Sequence, residues 1–372
     1  MLYQRGDPTM MRNGCLILCQ FQIPSDVIFD YKRLVMSVCL ISLGSPPMLS
    51  FQVKILLHIV SENSSEDSFN QRAGIFLLNS LACQVDGEQK VLVGSLGAVE
   101  KMLQIISEKL EQGHCDDVME TAWSTMWNVT DETPLNCERF LAAGGMFLFL
   151  KCKVSLQSRP LRSYLTICDV QRRFPDKADL LRNMMGLLGN VAEVPQLRSK
   201  LMTKEFVEEF ANLLDSCKDG IEVSYNAAGV LAHMASDGAA AWTIKEPERE
   251  EVLDRMSRAI NRWDIRSKRN INYRSFAPII SLAGVSSTPQ CQMWAVWALA
   301  NLTSVTPEKY CKLVLLEGGL ALMEEILNQN SQQVRTSMLQ VRLWAGLVRD
   351  NVRGWQETGA SHRELENLEF DG

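Results

Sequence analysis

Two carboxylates occupy the same position relative to a recurring asparagine. Asp131 follows Asn128 by three residues, and Glu193 follows Asn190 by three residues. Residues i and i+3 share one face of a helix. If the asparagines line a groove, both acids therefore line it too. Paired acids in a groove predict a place that holds a positive charge.

An aromatic side chain accompanies the acids. Trp127 directly precedes Asn128 and is the one large aromatic residue at this position of the pattern. An α-ammonium group has three donors, and Asp131, Glu193 and the carbonyl of Asn128 or Asn190 supply three acceptors. Charge-assisted hydrogen bonds of this kind contribute about 1.5–3 kcal/mol each. A neighbouring tryptophan excludes water and adds a cation–π attraction.

Other interpretations of these residues stay open. The acids could pair with Lys or Arg on adjacent helices, and the asparagines could tie neighbouring repeats together. A metal site is not expected, because no His or Cys converges with the acids. The chain has 4 histidines, too scattered for a catalytic triad, and no glycine-rich phosphate loop. We therefore expect a non-catalytic protein with no cofactor.

The asparagines belong to a repeat that positions the acids. Positions 79, 128, 190, 233 and 301 lie 49, 62, 43 and 68 residues apart, each within a similar apolar helical pattern. Armadillo and HEAT repeats span about 40–47 residues, so the two long spacings require insertions. His233 takes the place of asparagine in this ladder of positions, and we interpret it as a hydrogen-bond donor in the groove.

Glycines mark the same period. Gly97, Gly145 and Gly319 follow their asparagines by 17 or 18 residues, and each opens an apolar helix. Glycine lets one helix end and the next start at a sharp angle. Strand patterns are nearly absent. The sequence therefore predicts an all-α, armadillo-like helical-repeat solenoid, a superhelix whose asparagines line the concave groove.

Composition excludes several classes of function. The chain of 372 residues is 46% hydrophobic and 22% charged, which is typical of a folded protein. A formal net charge of −6 argues against general nucleic-acid binding, so Lys268, Arg269 and Arg274 are interpreted as a solvated basic face. The 11 cysteines show no metal-binding spacing. Without a visible signal or membrane-spanning segment, we expect a cytoplasmic or nuclear protein with reduced thiols.

Four longer strings resemble the zyg-eleven homolog family. They are WSTMWNVTDETP (residues 123–134), GLLGNVAEV (186–194), DGIEVSYNA (219–227) and RNINYRSF (269–276). The resemblance covers residues 1–32 and 70–330. Family members are substrate receptors of cullin-2 RING ubiquitin ligases. The resemblance implies an armadillo-like domain that binds substrates with an exposed N-terminal glycine, gripped by Trp127, Asn128, Asp131, Asn190 and Glu193.

Departures from the family suggest the domain organisation. We expect an N-terminal segment at 1–69, partly divergent, then a repeat domain at 70–330 and a divergent tail at 331–372. Residues 153–171 interrupt a family helix and are expected to bulge out as an insertion. The box that binds elongin C and cullin-2 is not visible, so we expect these partners to bind only through a region outside this chain.

Two functions from different classes remain. The first is a substrate-recognition subunit of a cullin-2 ligase that binds N-terminal glycine degrons. The alternative is an armadillo-type scaffold that binds internal extended peptide segments. Acetylation of a glycine-starting peptide discriminates between them, because it removes the ammonium that only the first requires.

Overall fold

A computed structural model describes residues 46–61, 68–157, 177–215, 221–328 and 336–369. All regular secondary structure in these ranges is helical. The chain divides into two compact units, Met1–Val191 and Ala192–Gly372, and each is described by itself.

Eight helices of the first unit lie in the described ranges. They are α1 (Pro46–Ser61), α2 (Ser68–Ala82), α3 (Gly87–Ser95), α4 (Ala98–Glu111), α5 (Asp117–Thr130), α6 (Pro134–Ala142), α7 (Gly145–Gln157) and α8 (Lys177–Glu193), the last of which crosses the boundary at Val191. Helix α2 packs against α5, α4 packs against α5 and α7, and α3 packs against α6. A short helix, a second helix and an asparagine-bearing helix therefore recur in this order.

The second unit repeats the order with one irregularity. Its described helices are α9 (Arg198–Leu201), α10 (Lys204–Leu213), α11 (Ile221–Ser236), α12 (Arg249–Ile260), α13 (Ala277–Ala283), α14 (Pro289–Val305), α15 (Pro307–Leu316), α16 (Gly319–Asn328) and α17 (Thr336–Glu369). Helix α11 packs against α14, and α14 packs against α17. The 68-residue spacing is accounted for by α12 and by residues 261–276, which contain no helix or strand.

The predicted fold class is confirmed. Every ladder residue lies near the C-terminal end of a helix: Asn79 in α2, Asn128 in α5, Asn190 in α8, His233 in α11 and Asn301 in α14. The return of a ladder-bearing helix after two other helices is the armadillo-like arrangement that the spacing predicted.

The sequence predicted sharp turns at Gly97, Gly145 and Gly319, and the structure places two of these three turns one residue earlier. Gly97 has a φ of +92°, as expected. In the other two repeats the left-handed residues are Gly144 (φ +79°) and Gly318 (φ +80°). Gly145 instead permits close packing, since a Cβ there would lie 2.2 Å from the Phe140 ring. In each of these two glycine pairs, the first glycine adopts the left-handed conformation of the turn and the second allows close packing against a neighbouring side chain.

The predicted insertion at 153–171 is only partly described. Helix α7 continues through Gln157, so residues 153–157 remain helical, and Lys153 is buried. Residues 158–171 lie outside the described part of the chain.

Candidate functional site

Asp131 ends helix α5 as its C-cap, with a φ of −58° and a ψ of 124° that leave the helical region. Its carboxylate Oδ2 lies 2.6 Å from Nζ of Lys90, and its main-chain carbonyl lies 3.2 Å from the same atom. The Lys90 side chain is only 1% exposed, whereas that of Asp131 is 38% exposed. The pairing of an acid with a lysine, one of the open alternatives, is therefore realised at Asp131. No described residue donates a hydrogen bond to Oδ1, the second carboxylate oxygen of Asp131.

Trp127 lies one turn before Asp131 on the same helix, and it is half-buried. Its indole packs against Gly186 of α8, where a Cβ would lie 2.3 Å from the ring. Its carbonyl accepts a hydrogen bond from the Asn190 amide at 2.9 Å. The Trp127 indole therefore packs directly against the main chain of α8, at a position where only glycine leaves room for it.

The contact between Trp127 and Gly186 predicts different effects for alanine substitutions at two glycines of α8. Gly186→Ala is expected to displace the Trp127 indole and weaken any ligand binding that uses it. Gly189→Ala is the matched control, because nothing lies within 4 Å of its added Cβ. Alanine is favoured over glycine within helices by about 0.8–1.0 kcal/mol, so the control is expected to be neutral or stabilising. Tryptophan fluorescence and thermal unfolding of both variants test the difference.

The asparagines of the first unit bind the protein itself. The Asn128 amide donates to Oδ1 of Asn79 at 2.9 Å and to the carbonyl of Ser124 at 3.0 Å. The Asn190 amide donates to the Trp127 carbonyl and to Oγ1 of Thr130 at 3.0 Å. Successive asparagine-bearing helices are therefore tied together, as the structural alternative proposed. The Asn190 contacts also fix the last turn of α5, the one that presents Trp127 and Asp131.

Glu193 is the last residue of α8, one turn beyond Asn190, and it is half-buried. Arg198 secures the end of this helix: its Nε donates to the Ala192 carbonyl at 2.7 Å, and its guanidinium pairs with Asp237. A cation at a helix C-terminus is favourable because it opposes the helix dipole. The acid therefore lies at a helix end that has been stabilised by a separate ion pair.

His233, the remaining predicted site residue, is 3% exposed, and neither ring nitrogen has a hydrogen-bond partner in the described residues. Burial, followed by the nearby positive charge of Arg198, lowers its pKa from 6.5 to about 3. The ring is therefore neutral at physiological pH and packs edge-on against Trp294, with centroids 6.1 Å apart.

This burial predicts a pH-dependent stability. The unfolded chain takes up a proton at His233 near pH 6.5, whereas the folded chain does not until about pH 3, so stability falls as the pH drops below 6.5. Between pH 6.5 and pH 5, wild type is expected to lose about 2 kcal/mol more than His233→Asn. Denaturant unfolding of both proteins at the two pH values measures the difference, and parallel losses would contradict the assignment.

The side-chain amide of the last ladder residue, Asn301, binds main-chain carbonyls of the protein itself. The amide of Asn301, a fully buried residue, donates to the carbonyls of Ile265 at 2.8 Å and Ser267 at 2.9 Å.

The prediction of a solvated basic face was wrong for Arg269, whose side chain is only 2% exposed and pairs with Glu222 at 2.9 Å. The exposed residues Arg266 and Lys268 form no ion pair with any residue in the described ranges.

Sequence reasoning also missed a cavity of about 670 Å³ at the C-terminal end of α14. Arg266 and Lys268 contribute to its lining, together with Ser304, Asn351 and Trp355. The Asn351 amide donates to the hydroxyls of Ser304 at 2.9 Å and Thr303 at 3.1 Å, so this part of the wall is internally satisfied. The residues come from three distant parts of the unit, and the repeat pattern carried no signal for their convergence.

The described ranges contain no cluster of three or more His, Cys, Asp or Glu residues arranged to hold a metal ion. Helices long and apolar enough to span a membrane are likewise absent from the part of the chain that the structure describes.

Comparison with known proteins identifies close relatives. The Drosophila melanogaster "Protein zer-1 homolog" is 53% identical over 353 residues, which cover 87% of this chain and 40% of the relative. The Homo sapiens protein of the same name is 46% identical over 328 residues, covering 88% and 38%. The Caenorhabditis elegans "Zyg eleven-related protein 1" is 44% identical over 347 residues, covering 93% and 34%. The chain thus spans about two fifths or less of the length of these relatives.

Among solved structures, a designed armadillo repeat protein in complex with the peptide (KR)4 matches with a TM-score of 0.39 and 16% identity, over 82% of this chain and 99% of the other. A structure from work on the interaction between cadherin and β-catenin matches with a TM-score of 0.47 and 14% identity, over 93% and 61%.

A family model supplies the identification. The model described as "Protein zer-1 homolog-like, C-terminal domain" matches residues 1–47 and 47–345. This match and the named relatives confirm the resemblance to the zyg-eleven homologs. The chain belongs to the family of zer-1 homolog-like C-terminal domains.

Proposed function

We propose that this chain is the non-catalytic substrate-recognition part of a cullin-2 RING ubiquitin ligase and binds proteins through an exposed N-terminal glycine. Family membership supports a receptor role. We assign the binding of elongin C and cullin-2 to the part of the longer relatives that this chain does not match. The proposed site residues are Trp127, Asn128, Asp131, Asn190 and Glu193; the interpretation of His233 as a donor in the groove is not kept, because its ring is buried against Trp294.

One observation carries the proposal. Asp131 is half-exposed beside the half-buried Trp127, and Lys90 fixes only one of its two carboxylate oxygens. The second oxygen, Oδ1, is therefore preorganised to accept a hydrogen bond from a ligand. A carboxylate already held in place by a buried lysine loses little side-chain freedom when it binds an ammonium group.

Charge and size then favour glycine. Lys90 pairs with Asp131, and we assign to Glu193 the role of a second acceptor for the ammonium group. The seating of Trp127 against Gly186 leaves a rigid aromatic wall. A rigid wall accepts an amine without a side chain and excludes larger residues by volume.

Peptide binding by the intact chain tests this function. Fluorescence polarisation should compare peptides that start with Gly, N-acetyl-Gly, Ser and Leu and share all other residues. Acetylation removes the charge and two donors, so we expect at least a hundredfold loss of affinity, or about 2.7 kcal/mol. Equal binding of the acetylated peptide would favour the internal-segment scaffold instead. Trp127→Ala is expected to weaken binding of the glycine peptide without loss of helical circular dichroism.

A further inference from the structure

Helix α17 carries an asparagine that extends the ladder within the second unit. It is the third helix after α14, which is the place of a ladder-bearing helix, and it packs against α14. The Asn351 amide donates to Oγ1 of Thr303 in α14 at 3.1 Å. In the first unit, the Asn190 amide donates to Oγ1 of Thr130 in α5 at 3.0 Å, and both threonines follow a ladder asparagine by two residues. Asn351 is therefore the ladder residue of α17.

The hydrogen bonds around Asn351 fix the direction of its side-chain amide. The hydroxyls of Thr303 and Ser304 donate to main-chain carbonyls of their own helix, at 2.8 Å and 2.7 Å. Because their protons are used, both hydroxyls can only accept, so the NH₂ group of Asn351 must face them, at 3.1 Å and 2.9 Å. Its Oδ1 accepts no hydrogen bond from any described residue. The 670 Å³ cavity that Asn351 lines therefore contains an acceptor available to a ligand.

Two cations line the same cavity. Arg266 and Lys268 are exposed, and no acid in the described ranges pairs with either side chain. Their main chain is anchored: the Ser267 N–H donates to the Asp264 carbonyl at 3.0 Å, and the Arg266 N–H donates to the Asp264 carboxylate at 2.9 Å. The buried Asn301 amide binds two carbonyls of the same turn. A fixed turn thus presents two positive charges to the cavity, which favours an anionic ligand.

An apolar wall and one acid complete the cavity. Leu347 and Trp355, both half-buried on α17, belong to its lining. The Trp355 indole N–H donates to the Glu308 carboxylate at 3.2 Å, which fixes the ring. Glu308 also lines the cavity, and the whole chain has a formal net charge of −6. This lining suits a ligand with separated negative charges and apolar side chains better than a nucleic acid, which is charged at every step.

The third residue after the ladder asparagine also differs from that of the first unit. Asp131 holds this position after Asn128, whereas Ser304 holds it after Asn301. Ser304 lines the cavity and has no charge, so the residue at this position does not repel an anion. The ladder positions of α5 and α14 therefore favour ligands of opposite charge.

We propose that the cavity binds an extended acidic segment of another protein. A carboxylate side chain of that segment pairs with Arg266 and Lys268, and an apolar side chain packs against Trp355. Oδ1 of Asn351 accepts a hydrogen bond from the main chain of the segment. No residue of the proposed glycine site lines this cavity, so the inference goes beyond the proposed function and does not depend on it.

Capped peptides test the inference on the intact chain. Eight-residue peptides that alternate leucine with glutamate or with glutamine carry an N-acetyl group and a C-terminal amide, so they offer no terminal charge. Fluorescence polarisation should show that the glutamate peptide binds at least fivefold more tightly, or by about 1 kcal/mol. The preference should shrink at ~1 M sodium chloride, which screens charges beyond about 3 Å. Equal binding of the two peptides would overturn the inference, and so would tighter binding of an eight-nucleotide oligouridine.

Charge-neutralising variants locate the binding site. Arg266→Gln combined with Lys268→Gln is expected to abolish the preference for the glutamate peptide. Arg258→Gln combined with Lys312→Gln is the matched control, because both side chains are exposed and neither lines the cavity. The control removes the same charge from the second unit and should keep the fivefold preference. Retention of the preference in the first double variant, or equal loss in both, would overturn the assignment.

Discussion

Replacement of Glu222 by glutamine is expected to lower the free energy of unfolding by about 3–5 kcal/mol. The substitution keeps the shape of the side chain but leaves the charge of Arg269 unpaired, and that side chain is only 2% exposed. The loss comes mainly from the cost of burying an isolated cation, rather than from the intrinsic strength of the ion pair. Chemical denaturation followed by circular dichroism measures it.

Glu250→Gln is the matched control for Glu222→Gln. Glu250 also pairs with an arginine, Arg249, at 3.0 Å, but its side chain is 76% exposed. Exposed pairs contribute about 0–1 kcal/mol, so the control should unfold almost like wild type. Similar losses in the two variants would show that Arg269 has access to water or to a second partner.

Asp131→Asn is expected to weaken binding of a glycine-starting peptide by more than tenfold, or 1.4 kcal/mol, and also to destabilise the protein. Asparagine can still accept one hydrogen bond, but the buried Lys90 loses its counter-charge. A hydrogen bond to a charged group contributes about 1.5–3 kcal/mol, which sets the scale of the stability loss. Peptide titration and thermal unfolding measure the two effects separately.

The double variant Lys90→Met with Asp131→Asn separates binding from folding. Methionine fills the space of lysine without a charge, so stability is expected to recover. Peptide binding is not expected to recover, because the acceptor for the ammonium is still missing. Recovery of both would mean that Asp131 acts only through the fold. Glu193→Gln should likewise weaken binding more than tenfold, and wild-type affinity in both single variants would place the binding site elsewhere.

The helical register was predictable because it depends on short-range periodicity. Apolar residues around each asparagine repeat with helical spacing, and the asparagines lie where the pattern placed them, at the ends of α2, α5, α8 and α14. What these side chains bind was not predictable. An amide that faces a groove and an amide that reaches the next helix have the same spacing, and only the three-dimensional distances separate the two roles.

Lys90 and Arg269 show where residue type misleads. Lysine and arginine are seldom fully buried unless they are paired, so both were interpreted as surface residues or given no role. Their partners, Asp131 and Glu222, lie 41 and 47 residues away in sequence.

The burial of Arg269 in the second unit has a consequence for solubility. The rings of Trp263, Tyr225 and Trp297 form a cluster with centroids 5.0–6.1 Å apart, and the guanidinium group of Arg269 lies over the Tyr225 ring. In an empty armadillo groove, a cluster of this kind would be an exposed apolar patch that promotes aggregation. Because Arg269 and the chain around it cover these rings, Tyr225 and Trp297 are fully buried, and the second unit does not present them as an apolar patch.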